Sequence, residues 1–476
     1  MQCKSRLILT VVLLAGCHQA LPPEQPSPFA GTTLRVAAPA PLHDLIRAHA
    51  ARWIFQHRAT LQFQDTPENA DLVVFPVPQL LSLADQLQTV PGELQQRGHR
   101  FDWNSLLPLY RERFLRAEAA TRALPLAGEA PLAVYRRDLY TNETLQTAYT
   151  QWRADTKRPA LPLRLPLTWR EWADQALFFA EHFKKPSLAP LPATAEGRDR
   201  LFHTLAASHA RRAIREDEPE GADHEAEVFL FHYRPGSHEP RLNTPGFVYS
   251  LNLLREMQPA RSTDPESLSR GEPALAVIEA GELTTLQRNP ATRDRYGVFP
   301  MPGADRFWNS ADRAMTAEGG NLVPYQGAGG WLAGVTRSSS QAAAAWDLLA
   351  ELTGPRRSGE IASEPRWGAG PTRLEHLVRD RWDSLGVDNV TAQTLKDLTG
   401  RHLLQHGLKN PVSVLRVPDR PARVAALDAA LLAAVTGKQP PQAALDDATA
   451  AWKKLDDALG KDNARRIYRQ SLNLID

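Results

Sequence analysis

Apolar residues are spaced in two distinct ways along this chain, and each spacing predicts a different element. Near the start, "TLRVAA" (33 to 38) reads as a strand, and Leu42, Leu45, Ile46 and His49 follow at helical spacing. "TLQFQ" (60 to 64) alternates, whereas "ADLVVFP" (70 to 76) is a continuous apolar run of the kind buried on both faces of a parallel sheet. Strands interleaved with helical spacing imply crossover helices packed on a sheet, an α/β arrangement. A helix is predicted over "PLTWREWADQALFFAEHF" (166 to 183), where Thr168 and Glu171 form a capping box and Leu167 with Trp172 can make a hydrophobic staple. Trp169, Trp172, Ala173, Ala176, Ala180 and Phe183 then share one face, which makes the two tryptophans core residues rather than ligand contacts.

The later part is mostly helical. Ser338 to Ser340 can cap a helix carrying Ala345, Leu348, Leu349 and Leu352. Val424, Leu427, Leu431 and Val435 form another, ending at Gly437, and a third from Pro441 places Leu445, Trp452, Leu455 and Leu459 on one side. "REDEPEGADHEAE" (215 to 227) has no apolar periodicity and reads as a solvated loop. No internal repeat is present.

The N-terminus changes the picture. Lys4 and Arg6 precede nine residues, Leu7 to Ala15, of which Thr10 alone is polar. That run is too short for about 30 Å of hydrocarbon, which takes roughly 20 residues, but it fits a secretory signal. Leu14-Ala15-Gly16-Cys17 resembles the lipobox of bacterial lipoproteins, which implies cleavage before Cys17 and lipidation of its sulfur. An ordinary cleavable signal with an incidental cysteine is the alternative. Residues 17–31, rich in proline, then read as a tether. The implied location is extracytoplasmic, on the periplasmic side or the cell surface, with the membrane reached through the lipid.

The 476 residues include 56 basic and 54 acidic ones, and removal of residues 1–16 takes away Lys4 and Arg6, leaving 54 of each. That balance offers no footprint for nucleic acid. The two cysteines are Cys3, lost with the signal, and Cys17, so no disulfide remains to stabilise the mature chain. No later run of 18 apolar residues suggests a membrane span. No histidine or carboxylate spacing suits a metal, "HEAE" is not HExxH, and neither a P-loop, a G-x-S-x-G nor a dinucleotide fingerprint occurs, so no cofactor is expected.

Several segments occur in a meaningful order: "DLVVF", "LPLAGEAPLAVYRRDLY" (124 to 140), Pro-x-Thr-Trp, "TPGFVYSLNLLREM" (244 to 257), "SRGEPALAVIEAGE" (269 to 282), "YGVFPMPG" (296 to 303), "GAGGWLAGVTRSSSQAAAAWDLLAEL" (327 to 352) and "AVTGKQPPQAALDDATAAWKKL" (434 to 455). In this order the chain resembles the extracellular solute-binding proteins of ABC importers, in particular their large sugar-binding, maltodextrin-binding-protein-like family. The resemblance spans roughly residues 32 to 460. It implies a two-lobed periplasmic-binding-protein fold of type II, with a ligand cleft between lobes and crossings near Ala130 to Ala133, Gly330 to Val335 and Gly368 to Thr372. Lobe one would comprise 32–130 with 333–370, and lobe two 131–332 with 371–476. The implied activity is capture of a solute, a sugar or oligosaccharide, without chemistry, and its delivery to permease subunits of an ABC transporter. A sensory or surface-capture lipoprotein would use the same cleft, and a lipid-anchored glycoside hydrolase would need two flanking carboxylates.

The chain also departs from that family. The loop Phe75-Pro76-Val77-Pro78 lacks the usual acid, Gly281 and Glu282 stand where a tryptophan is frequent, and Arg423 or Val424 replaces an aromatic. Sugars offer C–H faces to rings and hydroxyls to carboxylates, so the candidate contacts are Trp331, Trp308, Trp367, Phe75 and Glu129. Glu129 stands four residues after Pro125, as a sugar-binding acid does in the family; the alternative is a loop acid, or a partner of an arginine such as Arg136.

Overall fold

The computed structural model describes residues 27–474 apart from 118, 216, 219–223, 312, 318–319, 328, 379–381 and 383–385. The signal, Cys17 and most of the tether lie outside the described residues.

The continuous apolar run does form a buried strand. β1 (Thr33–Ala37), β2 (Thr60–Gln64) and β3 (Leu72–Pro76) are parallel, with β1 between the others. A hairpin of β4 (Arg116–Ala117) and β5 (Ala120–Thr121) leads to β6 (Leu124–Ala127). β7 (Pro131–Arg136), β8 (Leu275–Glu279) and β9 (Tyr296–Phe299) make a second, antiparallel sheet in the order β8-β7-β9. β10 (Phe307–Asn309) and β11 (Ala314–Thr316) pair as a hairpin. β12 (Trp331–Val335) then returns to the first sheet and completes it as β2-β1-β3-β12-β6, antiparallel to both neighbours. Leu332 lies opposite Phe75 on one side and Pro125 on the other.

Each sheet has its own core. Leu34, Val36, Leu72, Val74, Leu124 and Leu332 pack with the Ala342–Thr353 helix around the first. Trp169, Trp172, Phe202, Phe247, Leu275 and Trp452 gather helices against the second. Leu377 and Leu403, late in the chain, pack into the first core, so the segment after the third crossing touches both halves. Further along, the Arg113 Nη1 donates to the Leu472 carbonyl at 2.9 Å, and Arg416 Nη1 donates to the Arg113 carbonyl at 2.7 Å, joining the first half to the C-terminal helices.

Local expectations hold with adjustments. Thr168 caps the Trp169–Phe183 helix by accepting from the Glu171 N–H at 3.2 Å, but Glu171 accepts from the Leu167 N–H at 3.0 Å rather than closing on the cap itself. Leu167 is 61% exposed, so the expected staple to buried Trp172 does not form. Phe183, the last residue of that helix, is also exposed, with its ring stacked on Phe179. The helix expected after the serines starts at Ala342 without a side-chain cap; Ser339 donates instead to Asp71, 2.8 Å away. The charged stretch 215–227 runs into a short helix, His224–Val228, rather than remaining loop throughout.

Candidate functional site

The chain passes between its two sheets where backbone comes closest. Gly128 and Gly370 exchange two backbone hydrogen bonds of 3.1 Å, and the Gly281 N–H donates to Gly368 across from the second sheet. Gly330, at φ +78°, lies so near that a Cβ there would stand 2.2 Å from the Ala127 carbonyl oxygen; one on Gly370 would stand 2.3 Å from the Glu129 nitrogen. Only residues without side chains let these segments cross in contact.

Glu129 sits on the link between β6 and β7, at this junction. Its partner is not Arg136, which pairs with Asp138, but Arg200 from the Ala195–Ala210 helix, with Nη1 to Oε1 at 3.6 Å. The reason is directional: Arg136 ends β7 at the far side of the sheet, whereas Glu129 precedes the strand. The same Arg200 Nη1 lies 2.9 Å from Oε1 of Glu279, which closes β8 and caps the Ala280–Arg288 helix with Glu282. Two carboxylates thus share one guanidinium. Burial, and then the nearby Glu129 charge, push the Glu279 carboxyl up to about 7 against the pull of Arg200. Behind them the Tyr110 hydroxyl donates to the Gly329 carbonyl at 2.8 Å, and burial followed by Glu129 raises its phenol.

The other sequence candidates are placed differently. Trp331 opens β12 beside this junction, half-buried, with its ring edge-on to Trp367 at 6.2 Å and 89°. Trp367 is itself 1% exposed, and Phe75 is 2% exposed in the middle of the first sheet, so both are core residues in this structure. Both belong to the hydrophobic core around the first sheet. Trp308 lies on the β10–β11 hairpin against helices of the second half, and its indole has no ring contact with the other candidates. Arg423 is a buried structural cation held by Asp419 and Asp456, each at 2.7 Å. Glu129 and Trp331 therefore flank the crossings; Phe75, Trp367 and Trp308 do not join them at an open surface.

Space around the junction is uneven. Beside Glu129, the hinge pocket is closed by Leu398, Thr399 and Leu403 and keeps about 20 Å³, room for little more than a water. A far larger groove of about 570 Å³ begins at Pro131, Arg200 and Glu279 and runs along the second half to Arg261. That volume is in the range of small-molecule sites. Arg200, Glu279 and Arg261 were not singled out from the sequence. Glu279 terminates an apolar run, and an arginine's partner is set by distant segments that no local pattern shows.

This geometry, two α/β halves joined by three crossing segments, is that of the two-lobed periplasmic binding proteins. No family model and no curated protein matches the chain by sequence. Solved structures do match. The sugar-binding protein MalE from the phytopathogen Xanthomonas citri has 17% identity and a TM-score of 0.61 over 90% of this chain and 98% of its own. Maltose-bound MalE3 of T. maritima has 15% identity and a TM-score of 0.62, over 89% and 100%. An ABC transporter solute-binding protein from Agrobacterium radiobacter K84, in complex with ribitol, has 17% identity and 0.61, over 90% and 100%. The chain has the MalE-like fold of the sugar-binding ABC solute-binding proteins.

Proposed function

We propose that the chain is a lipid-anchored extracytoplasmic solute-binding protein that captures a sugar or polyol, leaves it chemically unchanged and delivers it to the permease of an ABC transporter. The observation that carries this reading is the meeting of three crossings at Glu129 in a fold whose similar structures hold maltose and ribitol. In this reading lobe one is 32–130 with 333–370, lobe two is 131–332 with 371–476, and Glu129 and Trp331 contact the ligand from the hinge. Glu129 would accept hydroxyl hydrogen bonds, which are stronger for a charged acceptor. The anchor rests on Lys4, Arg6, the short apolar run and Leu14-Ala15-Gly16-Cys17.

Thermal shift of the purified mature protein with maltose, ribitol and mannitol tests the capture. A ligand at 100 times its Kd stabilises by about 2.7 kcal/mol, and it should be recovered unaltered. A panel of sugars and polyols that moves nothing ends the reading, and an altered product would make the protein an enzyme. Detergent partitioning of wild type against Cys17→Ala tests the anchor: both proteins in the aqueous phase would refute it.

A further inference from the structure

Where an arginine stands between two acids in this protein, it commonly hydrogen-bonds both. Arg423 donates to Asp419 and Asp456, each at 2.7 Å, and Arg170 donates to Asp174 at 2.8 Å and to Glu256 at 2.6 Å. The hinge is unequal. Arg200 Nη1 lies 2.9 Å from Glu279 Oε1, within hydrogen-bond reach, but 3.6 Å from Glu129 Oε1, close enough for charge attraction alone. The three groups arrive from separate elements: Glu129 from the link between β6 and β7, Glu279 from the end of β8, and Arg200 from the Ala195–Ala210 helix. The side chains of Glu129, Glu279 and Arg200 are 14%, 19% and 31% exposed, so their charges act through a partly dried interior while solvent still reaches the guanidinium.

The surrounding ionisable groups leave this imbalance in place. Glu282, on the helix that Glu279 caps, accepts from the Glu279 N–H at 2.8 Å and adds negative charge. Tyr325 and Tyr110 face the cluster as phenols that burial keeps protonated. Asp199, one residue before Arg200, pairs with His203 and Arg420 at 3.2 and 3.4 Å. Two carboxylates that compete for one cation in such surroundings ionise unequally, and burial with the Glu129 charge makes Glu279 the one that holds its proton up to about 7. While Glu279 is protonated, the Arg200 charge falls to Glu129. Once Glu279 ionises, it retains Arg200 and leaves the Glu129 oxygens to other donors.

We propose that Glu279 is a positioning residue for capture: by giving up its proton it holds Arg200 away from Glu129 and frees that carboxylate to accept from a ligand's hydroxyls. The inference rests on the solute-binding reading, with Glu129 as a ligand contact, and links a proton to it. Hydroxyls donated to Glu129 spread its charge and so lower the cost of ionising Glu279. Binding therefore releases a proton from Glu279 to the solvent, and capture tightens as the pH rises.

Calorimetric titration of the mature protein with maltose, ribitol and mannitol at pH 5, 6.5 and 8, at one ionic strength, tests it. These probes carry no group that titrates in that range. A probe that binds should bind wild type at least about threefold more tightly at pH 8 than at pH 5, since each pH unit by which binding lowers the Glu279 carboxyl gives up to about tenfold. Titrations at pH 7 in phosphate and in Tris, whose ionisation heats differ, should show a proton released. Glu279→Gln keeps the shape and cannot ionise, so its affinity should be level across the three pH values and its proton release nil; a merely structural role would change affinity without flattening the profile. Glu279→Asp, which can ionise, should keep the rise. Affinity that is level or falls from pH 5 to 8 in wild type, no proton release in wild type, or a rise that Glu279→Gln keeps would overturn the positioning role while leaving sugar capture standing. The two wild-type outcomes hold even if the glutamine variant does not fold. Binding of no sugar or polyol at all would overturn both.

Discussion

Replacing Glu279 by Gln should change how stability depends on pH. In the folded protein the Glu279 carboxyl sits at about 7, against an ordinary value of 4.5, so the native state holds a proton that the unfolded chain releases between those two values. Stability contributed by that proton is fully present below about pH 4.5 and is lost as the pH rises to about 7. The gap corresponds to an upper bound of about 3 kcal/mol at 1.36 kcal/mol per pH unit, and the one-fifth exposure of the side chain lowers it. A glutamine has no proton to lose. Urea unfolding from pH 4 to 8 should therefore show Glu279→Gln gaining on wild type by roughly 2 kcal/mol across that range, equivalent to a few degrees in Tm. Glu129→Gln should make this decline smaller and end it at a lower pH, because the Glu129 charge is the second cause of the raised Glu279 value. Parallel curves for wild type and Glu279→Gln at every pH would refute the argument.

Three further outcomes are expected. Gly330→Ala should cost more than about 3 kcal/mol, measured by urea unfolding, because it adds a left-handed-region penalty to a methyl 2.2 Å from a carbonyl oxygen; an unchanged midpoint would contradict the close crossing. Trp331→Ala should weaken binding of any captured sugar by about 1 to 3 kcal/mol, and an unaltered Kd would confine Trp331 to packing against Trp367. Arg416→Gln removes donors to the Arg113 and Ser471 carbonyls, so proteolysis should reach the Lys461–Ser471 helix faster than in wild type; equal rates would show that this join is not what holds the helix.

Strands and amphipathic helices were legible because their signal is local. "LVVFP" had no polar face to expose, Thr168 carried its own cap, and Val424, Leu427, Leu431 and Val435 repeat at the helical period. The candidate site was less so. Resemblance singled out Glu129 but not its partner, because Arg200 is brought to it by a helix about seventy residues further along, beyond the reach of any local pattern. A helical stripe such as Thr391, Leu395 and Leu398 has a buried face without saying which surface it covers, and here its end lines the hinge pocket. Phe75 and Trp367 carried the right chemistry for a sugar wall, yet depth in a core depends on what is laid over a residue later in the chain.

The insertion of β12 between β3 and β6 sets the order in which the first sheet can close. β6 ends at Ala127, and the strand that joins it to the rest of its sheet begins only at Trp331, about 200 residues later. Until that distant strand arrives, the apolar edge of β3 has no neighbour on one side, an invitation to pair with another chain. The first lobe to emerge is thus among the last to be completed, and its late strand makes folding dependent on sequence-distant contacts, which are the slow ones to form.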